Sequence, residues 1–120
     1  MKSRICVAQR QRNDCGVAAL ATLLGVPYEE IECAWMEALN RKPGRSNYND
    51  LLKVLSNLGI PAKKVRETNW GIRRVRWEAG SNHSHWIVVF GDSLWCPCYG
   101  WHQSKDDYSA KHYGHGIEIE

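Results

Sequence analysis

The segment QRQRNDCGVAALATLLG, residues 9–25, predicts the first helix of the fold and places a cysteine at its start. Asp14 is a good N-cap residue, and Gly25 is typical of the position that ends a helix. Between them the apolar residues recur at helical spacing, at Val17, Leu20, Ala21 and Leu24. We therefore expect a helix that begins after Asp14 and ends at Leu24, with Cys15 in its first turn.

The position of Cys15 has two interpretations. Free backbone N–H groups and the helix dipole at a helix N-terminus stabilise a thiolate, which is the nucleophilic form of cysteine. Cysteine is also a small apolar residue that packs well beside a core. Two other residues favour a nucleophile. Gln9 carries an amide that could donate to the oxyanion of an acyl intermediate, and His85 opens the most apolar strand, where it is a candidate general base.

The length and composition indicate one domain, residues 1–120. A chain of 120 residues with 43% hydrophobic composition can bury one core but hardly two. No apolar run is long enough for a signal peptide or a membrane span, so we expect a cytoplasmic protein without a membrane segment. Five cysteines without regular spacing predict free thiols, catalysis or metal binding rather than a disulfide framework.

The remaining sequence predicts an α+β fold, with three N-terminal helices followed by an antiparallel sheet. Helix two lies in VPYEEIECAWMEAL, and helix three runs from about Asn47 to Leu58. The inward face of helix two is expected to carry Ile31, Trp35, Met36 and Leu39. The hydrophobic period then changes to two in IPAKKVRE, IRRVRWE, HWIVVF, SLWCPC and IEIE. GDS, residues 91–93, predicts a tight hairpin turn. The polar segment 99–116 has no assignable pattern.

Three stretches together resemble the bacteriocin-processing, double-glycine leader peptidases of the papain-like cysteine peptidase superfamily. They are QRQRNDCGVAALATLLG, GRSNYNDLLKVLSNLGI and HWIVVFGDSLWCP, and the resemblance runs from Gln9 to about Pro97. It implies a papain-like fold, a peptide or protein substrate, and hydrolysis by a thiol. It further implies that Cys15 is the nucleophile, His85 the base and Gln9 the oxyanion-hole glutamine. We expect no cofactor.

The sequence departs from that family at the third catalytic position. The family has an aspartate before a proline on the strand after the histidine, whereas Cys96 stands before Pro97 here. Asp92 lies in the predicted turn, about 20 Å from His85 along the strand, which is too far to orient it. Cys96 is therefore the third-member candidate, and a neutral thiol accepts hydrogen bonds more weakly than a carboxylate.

The predicted two-residue turn has a further consequence for residues near His85. It pairs Phe90 with Ser93, which places both Cys96 and Cys98 on the face of His85. A carboxylate could also arrive from Asp106 or Asp107 in the unassigned C-terminal segment.

Two alternatives belong to other classes of protein. A papain-like scaffold without activity could bind a protein or nucleic acid through KKVRETNWGIRRVRW, residues 63–77, where basic residues alternate with tryptophan. The simpler interpretation of that stretch is a solvated basic face with Trp70 and Trp77 packed inward, and the net charge of +3 does not by itself indicate nucleic-acid binding.

A zinc site could combine Cys96, Cys98 and His102 with His112 or His115, although C-x-C matches no common zinc spacing. We favour a site without metal.

Overall fold

Three helices are followed by a six-stranded antiparallel sheet in the computed structural model, which describes residues 6, 8, 10, 13–78 and 84–120. The helices are α1 (Cys15–Leu24), α2 (Tyr28–Leu39) and α3 (Tyr48–Asn57). The strands are β1 (Ala62–Val65), β2 (Trp70–Arg76), β3 (His85–Phe90), β4 (Ser93–Cys96), β5 (Gly100–His102) and β6 (His112–Ile119), in the spatial order β1-β6-β2-β3-β4-β5. This architecture confirms the predicted α+β fold. Within the described ranges no helix is both long enough and apolar enough to cross a membrane.

Helix α1 is buried along almost its whole length. Of its ten residues only Leu24 is not buried. Small side chains let the helix approach its neighbours closely, and a Cβ added at Gly16 would lie 2.9 Å from the Ser46 hydroxyl and 3.4 Å from the Trp35 ring. The helix ends at Gly25, whose φ of 70° lies in the left-handed region that glycine adopts without strain.

Asp14 precedes α1 as predicted, but its side chain makes no capping hydrogen bond to the helix. The Asp14 carboxylate is buried and accepts hydrogen bonds from the Arg10 backbone N–H at 3.0 Å and from the Tyr28 hydroxyl at 2.7 Å. Asp14 therefore joins the segment before α1 to the first turn of α2, which is a longer-range role than a local cap.

The other two helices show one agreement with the sequence and one difference. Asn47 and Asp50 form a capping box, in which each side chain accepts from the backbone N–H of the other, so α3 has a well-defined start. In α2, Ile31 and Trp35 are buried as predicted, but Met36 is 48% exposed. The prediction for Met36 was wrong because Ala34, rather than Met36, completes the inward face.

The sheet has a core on each of its faces, and β3 contributes to both. Trp86, Val88 and Phe90 pack against the helices, whereas Ile87 and Val89 pack on the opposite face. The residues that join them on that opposite face are Val75, Leu94, Cys96, Tyr108 and Ala110. Burial on both faces explains why residues 86–90, WIVVF, are continuously apolar.

The β3–β4 connection has the predicted turn. Phe90 pairs with Ser93, and Gly91 has a φ of 65°. The sequence did not predict β5, which adds three residues of the polar segment to the edge of the sheet, with Trp101 paired to Trp95.

Two tryptophans expected inside the fold lie on its surface. Trp70 is 53% exposed and packs edge-on against Phe90, with ring centroids 5.1 Å apart. Trp77 is 36% exposed, and its indole N–H donates to the Ser109 hydroxyl at 2.7 Å. The prediction of inward packing was wrong because Trp70 opens β2 at the rim of the sheet and Trp77 follows its last residue.

Gly71 tests how closely β2 and β6 are packed. A Cβ at position 71 would overlap the backbone carbonyl of Ile117. A flexible side chain could move aside, but this carbonyl belongs to the backbone of a paired strand. Gly71→Ala should lower the free energy of unfolding by about 3 kcal/mol, measured by urea denaturation followed by circular dichroism. The matched control is Gly44→Ala, because the nearest atom to its added Cβ is 3.8 Å away. That variant should change stability by less than about 0.5 kcal/mol. Equal unfolding midpoints for the two variants would contradict this account.

Candidate active site

Cys15 is the first residue of α1 and lies against the start of β3. It is only 7% exposed, and the backbone N–H of Trp86 hydrogen-bonds to its thiol. Burial raises the pKa of Cys15, and this effect outweighs the N–H group of Trp86, which lowers it; the Asp14 carboxylate raises it further. The resting group is therefore a thiol. The helix N-terminus by itself would favour the thiolate, but burial in the core has the larger effect.

His85 is the first residue of β3 and is partly buried. Burial lowers its pKa to about 4, so the imidazole is neutral at pH 7. Its Nε2 atom lies 3.2 Å from the Cys96 sulfur, and its ring packs against Trp77 with centroids 5.8 Å apart. A neutral imidazole held by one nitrogen can accept a proton on the other.

Cys96 ends β4 and is fully buried, with its sulfur surrounded by hydrogen-bond donors. The Tyr108 hydroxyl donates to Cys96 Sγ at 3.1 Å, and the Tyr99 backbone N–H donates at 3.3 Å. Burial raises the pKa of Cys96, while these two donors act in the opposite direction. Cys96, the residue before Pro97, is thus the residue that contacts Nε2 of His85.

The structure does not place Cys98 beside His85. Strand β4 stops at Cys96, so the alternation that would have carried Cys98 to the same face ends before it, and Cys98 is exposed. The prediction that both cysteines share the face of His85 was correct for Cys96 and wrong for Cys98.

The C-terminal segment supplies Tyr108 to this region, not a carboxylate. Asp106 and Asp107 belong to a short 3-10 helix, Lys105–Asp107, and both are exposed. Tyr108, the next residue, is buried, and burial raises the pKa of its hydroxyl, which stays protonated as a donor. Sequence reasoning missed Tyr108, and its only signal was a large aromatic residue within a polar stretch.

Ser46 is a second residue that the sequence did not single out. The Trp86 indole N–H donates to its hydroxyl at 3.1 Å. The same hydroxyl lies against Gly16 in the first turn of α1. Ser46 thus fixes the start of β3 relative to the start of α1, where Cys15 lies.

The structure brings some of the predicted site residues together. His85 contacts Cys96, and Cys15 contacts the residue that follows His85. Gln9 lies outside the described residues. The metal alternative lacks a ligand set, because no group of three or more His, Cys, Asp or Glu side chains within the described part of the chain could hold a metal ion.

The order and packing of these elements are those of peptidase domains with a papain-like fold. One match is the peptidase domain of Streptococcus ComA, a bifunctional ABC transporter involved in a quorum-sensing pathway. Its TM-score is 0.66 at 15% identity, over 94% of this chain and 95% of that one. A second is a double-glycine motif protease from an AMS/PCAT transporter, solved with its leader peptide, with a TM-score of 0.61 at 21% identity over 98% and 93% of the two chains. No protein-family model and no curated protein matches the sequence.

The low pKa of His85 gives stability a defined pH dependence. In the unfolded chain a histidine binds a proton near pH 6.5, whereas folded His85 does so only near pH 4. Between these values the unfolded state binds more protons, so stability falls as the pH is lowered through this window. Wild type should lose about 2–3 kcal/mol more than His85→Gln between pH 7 and pH 4, measured by urea denaturation at each pH. Parallel losses in the two proteins would show that His85 is not buried as described.

Proposed function

We propose that this protein is a cysteine peptidase, or a related thiol acyl-transfer enzyme, that acts on a peptide or protein substrate. Cys15 is the nucleophile, His85 the base, and Gln9 together with the Cys15 backbone N–H holds the oxyanion. The observation that carries the proposal is the meeting of Cys15 with the start of β3, where His85 contacts Cys96. The shared fold supports it, as does the leader peptide bound by one of the matched proteases.

The reaction follows from these roles. The Cys15 thiol gives its proton to Nδ1 of His85 while the sulfur attacks the carbonyl carbon of the substrate. The tetrahedral intermediate collapses when the carbon–nitrogen bond breaks, and the leaving amine takes the proton from His85. Water then gives a proton to His85 and attacks the thioester, which releases the carboxylic acid and restores the Cys15 thiol. In acyl transfer, an amine nucleophile takes the place of water.

Cys96 is a positioning residue in this proposal. Because Tyr108 and the Tyr99 N–H both donate to its sulfur, Cys96 serves as an acceptor. His85 then donates from Nε2, and Nδ1 remains free to receive the proton of Cys15. Cys96 thus fixes the imidazole tautomer, as the family's aspartate does, but it supplies no formal charge to stabilise the imidazolium.

The resting pair is neutral, and this affects when the proton moves. Burial raises the pKa of Cys15 and lowers that of His85, so both groups favour their uncharged forms. Proton transfer therefore accompanies attack on the carbonyl, where the oxyanion donors offset the cost of separating charge.

A second candidate function is a papain-like scaffold that binds peptides without cleaving them. The same neutral pair favours it, because Cys96 adds no carboxylate to promote ionisation. The two candidates differ in the reactivity of Cys15 toward a peptide-shaped electrophile.

Acetyl-Gly-Gly-chloromethyl ketone measures that reactivity directly. The Cys15 sulfur would form a bond to the methylene carbon as chloride leaves, and peptide mapping by mass spectrometry gives the rate at each cysteine. We expect Cys15 to react faster than the exposed Cys33 and Cys98, and His85→Gln to slow Cys15 by about a hundredfold. Cys15→Ala should fold normally and lose this modification, while Cys33→Ala serves as the matched control. Equal rates at Cys15 and Cys33 would favour the binding scaffold.

Cys96→Asp tests the positioning role. A carboxylate at this position can accept the hydrogen bonds of Tyr108 and Tyr99, and its charge would stabilise imidazolium on His85. We expect the rate of Cys15 modification to rise by about tenfold, which corresponds to a rise of one unit in the pKa of His85. Cys96→Ser is the matched control, since it keeps a neutral acceptor. A Cys96→Asp rate no higher than that of Cys96→Ser would contradict the role.

A further inference from the structure

A cleft of about 270 Å³ lies on the helix-facing side of the sheet and is rich in positive charge. It is lined by Tyr48, Arg74, Arg76 and residues 112–115 of β6. Arg74 and Arg76 point to the same face because they are two residues apart on β2. Among the described residues neither arginine forms an ion pair. The Arg74 guanidinium hydrogen-bonds to the Tyr48 hydroxyl, but the Nε atoms of both arginines are buried without a hydrogen-bond partner. Two buried Nε–H donors without an acceptor, on arginines without an ion pair, indicate an anionic ligand.

A β-bulge shapes the floor of the cleft. Arg73 pairs with Gly116 and Val75 with Tyr113, so the single residue Arg74 faces two residues of β6, Gly114 and His115. Bulges are common beside functional sites, where they redirect side chains.

Gly114 keeps the cleft open. A Cβ at this position would lie 3.2 Å from the Tyr48 hydroxyl and 3.7 Å from Cβ of Arg74. The Tyr48 hydroxyl donates to the carbonyl of His115 at 3.0 Å, which fixes the bulge against α3. The space is therefore built by α3, β2 and β6, and a side chain at position 114 would narrow it.

The cleft is connected to the proposed nucleophile through one pair of neighbouring strand residues. Arg74 is directly opposite Trp86 in the β2–β3 pairing, and the Trp86 N–H contacts the Cys15 thiol. The Trp86 ring packs on Tyr48 at 5.1 Å between centroids. Neighbouring strands are about 4.8 Å apart and an extended peptide advances about 3.3 Å per residue, so a peptide held at Cys15 would reach Arg74 within about two or three residues.

We propose that this cleft binds the carboxylate of a glutamate or aspartate in the peptide substrate, two or three residues from the bond that Cys15 attacks. The proposal rests on the peptidase function for its substrate. Guanidinium groups suit carboxylates because their planar donors match the two oxygens. The cleft is slightly smaller than typical small-molecule pockets of about 300–1,000 Å³, and this size suits one side chain better than a whole nucleotide.

Binding can be measured separately from catalysis in the Cys15→Ala protein. The probes are acetyl-Gly-Glu-Gly-Gly-amide and its Gln counterpart, and the readout is the arginine Nε–H region of a ¹⁵N NMR spectrum. The Glu peptide should shift the Arg74 and Arg76 Nε–H signals saturably and bind about five- to tenfold more tightly than the Gln peptide.

Charge-matched variants identify the site. Arg74→Gln combined with Arg76→Gln should abolish the preference for Glu. Lys53→Gln combined with Arg66→Gln removes the same charge from exposed positions outside the cleft and should preserve it.

The outcomes separate this proposal from the proposed function. Equal binding of the Glu and Gln peptides, or unmoved arginine signals, would overturn the carboxylate site even if Cys15 is reactive. A Glu preference that depends on Arg74 and Arg76 supports the site even if the chloromethyl ketone shows no selective reaction at Cys15. Tighter binding of tetrathymidylate through the same two arginines would overturn the proposal in favour of a nucleic-acid ligand.

Discussion

The arrangement of the candidate site depends on the packing of the first turn of α1 against the first residues of β3. Gly16 lets this turn approach closely, and Ser46 connects it to the Trp86 indole. The Trp86 backbone N–H in turn contacts the Cys15 thiol. Because Cys15 precedes Gly16 and His85 precedes Trp86, these contacts define where the sulfur lies relative to His85. A displacement of either element would separate the two groups whose chemistry the proposed function requires.

The same close packing determines the electrostatics of the site. Because Cys15 and His85 are removed from water, each favours its neutral form, and the backbone donors near Cys15 only reduce this effect. Around Cys96 the fold supplies donors from Tyr108 and Tyr99, an environment that suits an acceptor. In the proposed function Cys96 therefore orients His85 as a neutral acceptor, without a negative charge.

The features that were predicted correctly depend on residues close together in the sequence. The start of α1 at Cys15, its end at Gly25 and the turn after Phe90 follow from short-range spacing and were predicted correctly. Contacts with distant segments were not predictable in this way, and Tyr108 and β5 come from a stretch without hydrophobic period. The pKa of Cys15 could not be predicted from its position at a helix start, because burial by distant elements such as β3 has the largest effect on it.

The burial of α1 also has a consequence for motion in the molecule. A helix enclosed on nearly all sides cannot open locally without exposing much of the core, so its amides should exchange with solvent only when most of the fold is lost. The thiol is attached to this slowly exchanging segment. The segment between β4 and β6 carries Tyr99 and Tyr108. Apart from Pro97, Tyr108 and Ala110, its residues of described burial are exposed or half-buried. We therefore expect the structural adjustments that accompany ligand entry to occur on the imidazole side of the site, while the sulfur remains stationary.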